Sequence, residues 1–457
     1  MSNIYVKDLL NVCKAKLLCG DTNLPLDNFS KDTRTIKEND IYIGIKGEKI
    51  DGNTFYEEAF SKGASCCILD NTTNVNINKY KDKTIILVED TIKCLGQLAI
   101  YKRSLYNIPV IAITGSVGKT STKDIVYEVI SKKYKTYKTQ GNLNNHIGLP
   151  LTILSLKDEE ALVVEMGMNH LGEISLLTKI AKPTVAIITN VGTAHIGILG
   201  SRENILKAKL EILEGLQENG TIIINNDNDM LHNYFSNNKI NYNLITIGIN
   251  NKSNYMASKI IEEPFNSKFN IKNEEININV GGIAFIYNSL VAYAIGKLFN
   301  ISEINIKEAI NSFNLSPHRL EKITNKKGVT IIDDTYNANI DSMIAAINIL
   351  GKVKNKRKIA LLGDMLELGD YTEELHRKLS KPIIDNNIDI TITVGPLTKK
   401  YLVEELIKNN YSKECIYSFN SYEETYSLLK KLLNKNDIIL LKGSNSMHIN
   451  KIVEEIK

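Results

Sequence analysis

The chain has no tryptophan among its 457 residues, and its six cysteines form no CxxC pair. Cys13, Cys19, Cys66, Cys67 and Cys94 lie in the first hundred residues, and Cys415 stands alone near the end. A chain of this length needs no covalent staples, so scattered thiols point to a reduced, cytoplasmic setting. Long hydrophobic runs are missing too; none reaches the roughly 18 residues that a bilayer-spanning helix requires. The opening MSNIYVKDLLNVCKAKLL alternates charged and apolar residues where a secretory signal has a continuous apolar stretch. The expectation is a protein neither secreted nor inserted in a membrane. There is no large excess of one charge: the net value is +4, with acids and bases interspersed. That argues against nucleic acid as a partner and leaves room for local anion pockets. Internal repeats and long low-complexity tracts are also absent.

What is there is globular composition, 43% hydrophobic and 24% charged, with a bias to Asn, Lys and Ile. The length predicts two or three domains. Residues 1–107 carry short β-like runs (DIYIGIKG, ASCCIL, TIILVED) and a linking helix over 91–105. Over 108–316 the pattern becomes strand, glycine turn, helix, and repeats. IPVIAITG, ALVVEMG, PTVAIITNVG and GTIIINND read as buried strands ending in polar turns, the grammar of a parallel α/β sheet. NLSPHRL (314–320) reads as a hinge, with Pro317 expected to break the preceding helix. NKKGVTIIDD, RKIALLGD, DITITVG and DIILLKGS then predict a smaller doubly wound domain over 317–457. Ligands on such sheets bind beyond the carboxyl ends of the strands, so the residues after these runs are the candidates.

VIAITGSVGKTSTKDIVYEVI joins a strand, a glycine turn and a helix. Backbone N–H groups of Gly115, Ser116, Val117, Gly118, Lys119, Thr120 and Ser121 can cradle phosphates at a helix N-terminus. Lys119 would reach the β/γ oxygens and the Thr120 hydroxyl would face Mg²⁺. The strict eight-residue phosphate-loop template is not met, because Ile113 stands where its first glycine belongs. A glycine turn with a fortuitous Lys-Thr is the alternative, and the flanking strand and helix favour nucleotide binding.

SRENILKAKLEILEGL (201–216) holds two lysines two places apart. Projected on a helix at about 100° per residue, Lys207 falls with Glu203, Glu211 and Glu214 on a solvated face. Lys209 falls inside the arc of Ile205, Leu206, Ile212, Leu213 and Leu216. A charge there is either a snorkelling side chain or one placed for chemistry. Glu165 ends the strand ALVVEMG as a metal ligand or a solvated strand terminus. His195, in the turn after PTVAIITNVG, is a metal ligand or a loop histidine. His146, His232 and His448 read as surface or loop residues, and His170 is left undecided.

ITGSVGKTSTK, QGNLNNHIGLP, VVEMGMNHLGEI, TNVGTAHIGILGS, KAKLEI, DDTYNANIDSM and LLGDMLELGDYTEELH occur in that order, after KDTRTIKENDIYIGIKGEKIDGNTF near the N-terminus. Together they closely resemble the ATP-dependent Mur ligases over nearly the whole chain. The resemblance implies an α/β protein of three domains: a central parallel-sheet, P-loop ATPase-like domain, an N-terminal domain for a UDP-linked substrate, and a C-terminal Rossmann-like domain that closes over ATP. DDTYNAN and GDMLELG imply the branch that joins D-alanyl-D-alanine to UDP-N-acetylmuramoyl-tripeptide through an acyl phosphate, in cytoplasmic peptidoglycan precursor synthesis. A carboxylate must there approach a triphosphate, so the site needs concentrated positive charge.

Residue by residue, the resemblance implies catalytic roles for Lys119, Lys209, His195 and Glu165. Mg²⁺ would be held by Thr120, Glu165, His195 and Lys209, the lysine as a CO₂-derived carbamate; partial desolvation favours the neutral amine this needs. Asn288, Arg319 and Asp334 would join the glycine loop around ATP, Arg319 arriving on domain closure. Thr33 and Arg34 match a uridine-diphosphate signature in which threonine replaces serine; Gly47, Asn142 and Asn145 complete the UDP-substrate side. Asn337, Asn339 and Lys442 fall on the D-alanyl-D-alanine side, with constrained turn asparagines as the alternative for the first two. Two positions depart from the family pattern: Ala284 replaces a usual histidine and Asn445 a frequent arginine. A monomer is expected. Two other readings are a sibling ligase adding a single amino acid and a non-catalytic nucleotide-binding homologue. Intact Lys119, Thr120, Glu165, His195 and Lys209 count against the second.

Overall fold

Runs of Ile, Val and Leu fold as strands buried on both faces, and the glycine or polar residue after each run ends it. The computed structural model describes residues 4–73 and 75–457, and its strands form three sheets in chain order. The first orders Lys16–Cys19, Thr84–Leu87, Cys66–Leu69, Ile41–Ile43 and Phe29–Ser30, parallel except for the antiparallel Lys16–Cys19. The helix Thr91–Ser104 leads from it, started by Asp90, whose side chain accepts from Lys93 N.

The second sheet has nine strands. At its centre Val110–Thr114 lies between Ala161–Glu165 and Val185–Ile188, all parallel. Alternate residues feed two cores. Val110 and Ala112 join one apolar cluster with the helices Gly148–Leu154 and Glu173–Ala181, while Ile111 and Ile113 join another with Lys119–Ile130 and Ile283–Leu298. Each fully buried Val or Ile among them contributes about 1.5–3 kcal/mol, which fixes the register that aims the strand ends. The chain crosses to opposite sides of Val110–Thr114, so a topological switch point, with its crevice, lies at the carboxyl end of that strand. Beyond Thr221–Asn225 and Asn243–Gly248 the sheet extends through Tyr255–Glu263 into two antiparallel strands, Asn266–Ile271 and Glu274–Ile278.

The third sheet orders Glu321–Thr324, Thr330–Asp333, Asp437–Lys442, Arg357–Gly363, Ile390–Val394 and Ile416–Phe419. It is parallel apart from its antiparallel edge strand Glu321–Thr324. The α/β class and the succession of three sheets are those expected from the strand grammar. One contiguous apolar cluster includes residues of all three, among them Ile43, Ala112 and Leu440.

Two local expectations are corrected. Pro317 does not end the preceding helix: Glu303–Asn311 stops at Ser312, whose N–H bonds back to Glu308 O, five residues before the proline. The helix over 201–216 is not continuous: Arg202–Leu210 gives way to a 3₁₀ turn, Glu211–Gly215. The change of pitch takes Glu211 and Glu214 away from Lys207. Glu211 accepts from the Gly172 and Ser175 backbone N–H groups, and Glu214 pairs with Lys179. Lys207 is exposed and Lys209 is 1% exposed, so the projection separated them correctly. Cys13 and Cys94 are unbonded, with their sulfur atoms 3.1 Å apart, and all six cysteines are free. Among the described residues no helix is long and apolar enough to cross a membrane.

Candidate active site

The glycine loop leaves the strand Val110–Thr114 and enters the helix Lys119–Ile130 through Gly118, whose φ of 81° lies in the left-handed region that a side chain resists. The neighbouring turn holds its shape. Val117 N donates to Asn190 Oδ1 at 3.0 Å, and Val117 O accepts from Thr189 Oγ1 at 2.7 Å and Asn190 Nδ2 at 3.0 Å. Ser116 Oγ accepts from Gly192 N at 2.9 Å. Lys119 Nζ folds back onto Gly115 O at 2.8 Å. Burial lowers its pKa, Glu165 opposes that, and Arg319 adds to it. From the facing helix, Asn288 Oδ1 accepts from Thr122 Oγ1 at 3.0 Å.

Beside the loop stands a buried carboxylate with no ion pair among the described residues. Glu165 is 3% exposed; its Oε2 accepts from Thr120 Oγ1 and its Oε1 from Asn144 Nδ2, both at 2.8 Å. His195 begins the short helix Ile196–Leu199 with a left-handed φ of 65°. Its Nδ1 lies 3.0 Å from Glu367 Oε2. Burial and the charges of Lys119 and Lys209 pull its pKa down, while Glu367 raises it. Lys209 has no hydrogen-bond or ion-pair partner among the described residues. Burial first, and then Lys119, hold its amine far below the ordinary lysine range.

The C-terminal sheet supplies the opposite wall. Arg319 Nη2 donates to Thr120 Oγ1 at 2.9 Å, and its guanidinium sits 4.0 Å from the Tyr336 ring centroid. The backbone around it is pinned: Leu320 N donates to Asp334 Oδ1 and Tyr336 N to His318 O. His318 Nδ1 lies 2.7 Å from Asp333 Oδ2, and Glu321 accepts from His318 N. These three side chains could crowd a metal, but each is already hydrogen-bonded within the hinge, where they serve as a clamp. Lys442 Nζ pairs with Asp334 Oδ2 at 2.6 Å and donates to Asn337 O at 2.8 Å. Burial raises the Asp334 pKa against the pull of Lys442 and Arg319.

A cavity of about 980 Å³ lies between these walls. Ser116, Val117, Gly118, Lys119, Thr120, Ser121, Asn142, Asn145, Glu165, His195, Asn288, Arg319, Asp334, Asn337, Asn339 and Lys442 all line it. Gly115 does not line it. Lys209 does not line the cavity, although its charge acts on His195. Thr33 and Arg34, on the 3₁₀ turn Thr33–Thr35, and Gly47, on the loop after Ile41–Ile43, do not line the cavity either. Arg34 is paired with Asp32, whose carboxyl it lowers to about 2. Two asparagines are held in local backbone bonds: Asn339 Oδ1 accepts from Ser342 N and caps the helix Ile340–Gly351, and Asn145 Oδ1 accepts from Ile147 N and Gly148 N in the turn before the helix Gly148–Leu154. Asn337 Oδ1 accepts from Ala338 N and Asn445 N. Ala284 lines the cavity beside Ile283 and Phe285, an apolar stretch of wall.

Residues 113–296 match the Mur ligase middle domain and residues 318–445 the Mur ligase, glutamate ligase domain. The UDP-N-acetylmuramoyl-tripeptide–D-alanyl-D-alanine ligase of Bacillus subtilis (strain 168) is 36% identical over 435 residues, 94% of this chain and 93% of its own length. The chain belongs to the Mur ligase family. The crystal structure of MurF from Acinetobacter baumannii matches this Mur ligase with a TM-score of 0.89 at 27% identity, covering 100% of this chain and 99% of that one. MurF from Thermotoga maritima, solved in complex with ADP, matches at 0.79 and 28% identity, covering 94% and 96%.

Several residues of this Mur ligase site were not singled out in the sequence. Asn144 orients Glu165, Asn190 shapes the phosphate loop, and Tyr336 supports Arg319. Asp341 Oδ2 accepts from Thr193 N at 3.1 Å and Thr193 Oγ1 at 3.2 Å, joining the two walls. Asn144 and Tyr336 sit inside quoted motifs, QGNLNNHIGLP and DDTYNANIDSM, and that position was the available signal. Asp341 lies inside DDTYNANIDSM as well, so the same signal was available for it.

Proposed function

We propose that this Mur ligase joins D-alanyl-D-alanine to UDP-N-acetylmuramoyl-tripeptide, with ATP cleaved to ADP and phosphate, in cytoplasmic peptidoglycan precursor synthesis. The observation that carries the reading is Arg319 of the C-terminal sheet bonded to Thr120 of the phosphate loop, which brings both halves of an ATP-dependent ligase site around one cavity. The full-length similarity to ligases of that name supports the choice of substrates.

The peptide carboxylate attacks the γ-phosphorus, the bond to ADP breaks, and an acyl phosphate forms. The D-alanyl-D-alanine amine then attacks the acyl carbon, phosphate leaves, and the amine nitrogen gives up a proton. The loop N–H groups and Lys119 hold the phosphates, and Arg319 adds positive charge from the opposite wall. Asn288 and Asp334 complete the nucleotide side. Thr120 and Glu165 are hard oxygen donors, and a buried carboxylate without an ion pair fits a Mg²⁺ site. His195 and a carbamate on Lys209 would complete the donor set. These residues would hold a divalent cation, which would supply positive charge against the triphosphate and the approaching carboxylate. The unpaired, depressed amine of Lys209 supports the carbamate, because only the neutral form takes up CO₂.

Thr33, Arg34 and Gly47 of the segment 1–107 receive the UDP portion, and Asn142 and Asn145 border the substrate junction. Residues 108–316 and 317–457 supply the two walls. Asn337, Asn339 and Lys442 shape the D-alanyl-D-alanine side, Lys442 with its charge balanced by Asp334. The enzyme acts as a monomer. Purified protein with ATP, Mg²⁺ and UDP-N-acetylmuramoyl-tripeptide is expected to release phosphate on addition of D-alanyl-D-alanine, and not with single amino acids or no amine. A diamino acid that replaces the dipeptide would overturn the assignment.

A further inference from the structure

We infer that Glu367 is a positioning residue for His195. Its carboxylate, carried in on the C-terminal half, fixes the imidazole for cation binding, so that this ligand is completed only when the halves close. The inference rests on the reading of His195 as a metal ligand.

The two residues are 172 positions apart and meet with Glu367 Oε2 3.0 Å from His195 Nδ1. Both have left-handed backbones, φ 65° at His195 and 64° at Glu367. Neither is glycine or asparagine, and each such conformation costs about 1–2 kcal/mol. That strain persists only where the surroundings over-determine it. Here they do. On the Glu367 side, Met365 N donates to the buried His376 Nε2 at 3.1 Å and Leu366 N to Ser444 Oγ at 3.0 Å. Across the junction, Tyr371 OH donates to Gly200 O at 2.8 Å. Gly197 lies so close to the backbone of Glu367, Leu368 and Gly369 that a Cβ on it would strike them. Backbone packed on backbone sets the approach of Glu367 to the ring.

A surface ion pair contributes little to stability and would not need two strained residues. A carboxylate on Nδ1 does something more specific. It selects the tautomer with the proton on Nδ1, leaves the lone pair on Nε2, and stops the ring from rotating. Among the described residues Glu367 makes no other hydrogen bond, so its carboxylate is committed to this one task.

The test is Mn²⁺ binding in the presence of ADP, followed by electron paramagnetic resonance on the full-length protein. The variants are H195N, E367G, E367Q and Y371F. E367G keeps the left-handed backbone at no steric cost and removes the carboxylate; E367Q keeps an acceptor without the charge; Y371F loosens the junction without touching the ring. H195N and E367G are expected to weaken Mn²⁺ by about 10–100-fold. E367Q should fall between them and the unaltered protein, and Y371F should stay within twofold of it, with Tm unchanged in E367G. If H195N weakens Mn²⁺ and E367G does not, the positioning role is overturned while His195 keeps its own. If H195N leaves Mn²⁺ unchanged, the reading of His195 and this inference fall together. A loss in Y371F equal to that in E367G would assign the effect to docking and overturn positioning.

Discussion

Lys209 carries the proposed carbamate, and its burial makes that proposal testable. A 1%-exposed ammonium with no partner among the described residues is costly, and the cost is relieved when the amine loses its proton or becomes a carbamate. Replacing it with methionine should therefore raise Tm, since an apolar side chain suits the site, while phosphate release falls by about 10²–10³-fold, as for loss of a transition-state electrostatic group. With K209A, short carboxylates in solution should restore part of the activity. Unchanged activity would remove the lysine from the mechanism. The anomaly was legible in the sequence because one charge interrupts an apolar arc. Glu165 and Thr120 were legible for a different reason: Glu165 ends a buried strand, and Thr120 lies in the first turn of the helix that follows the glycine loop. Asn144 was not, because its bond to Glu165 depends on how a loop 21 residues away folds.

At the level of elements, each cavity wall is the carboxyl end of a parallel sheet, and its helix starts carry the polar groups. Asn339 illustrates the ambiguity this creates. Its side chain caps the helix Ile340–Gly351, with Ser342 completing a reciprocal capping box, although the residue also lines the cavity. N339A should cost about 1 kcal/mol of stability, measured by denaturant titration. N339S, which preserves the cap, should recover both stability and the KM for D-alanyl-D-alanine. Recovery of stability without KM would assign Asn339 a direct contact with substrate. The parallel strands were readable as continuous β-branched runs closed by glycine. The antiparallel strands Asn266–Ile271 and Glu274–Ile278 were not, because polar residues dilute their alternation and pairing depends on their neighbours. The 3₁₀ turn after Leu210 escaped notice because a wheel projection assumes one unbroken pitch.

For the whole molecule, the deciding contacts are those between halves, and they were the least legible, since partners such as Arg319 and Thr120 lie 199 residues apart. Asp124 ties the hinge to the central sheet: its Oδ2 accepts from Ser316 Oγ at 2.6 Å, and its Oδ1 pairs with Lys138 at 2.9 Å and Lys123 at 3.3 Å. Burial pushes the Asp124 carboxyl up, but Lys123, Ser316 and Lys138 outweigh it and hold it below the usual range. A carboxyl depressed in the folded state stabilises at pH above its unfolded value of about 3.9, and that contribution is lost as pH falls through the folded value. D124N should therefore lose about 2 kcal/mol at pH 7, and the gap to the unaltered protein should shrink in thermal melts below about pH 4. A gap independent of pH would mean that packing, not charge, holds the hinge.

The bare backbone seam between Gly197 and Gly369 has one more consequence. It leaves no tolerance for growth: a single methyl group at position 197, which a helix accepts without protest, would act as a wedge and keep the jaws ajar. Such a protein would still grip nucleotide on its central face, yet Arg319 would not reach Thr120 nor Glu367 reach His195, so one methyl group would separate a working ligase from a passive holder of ATP.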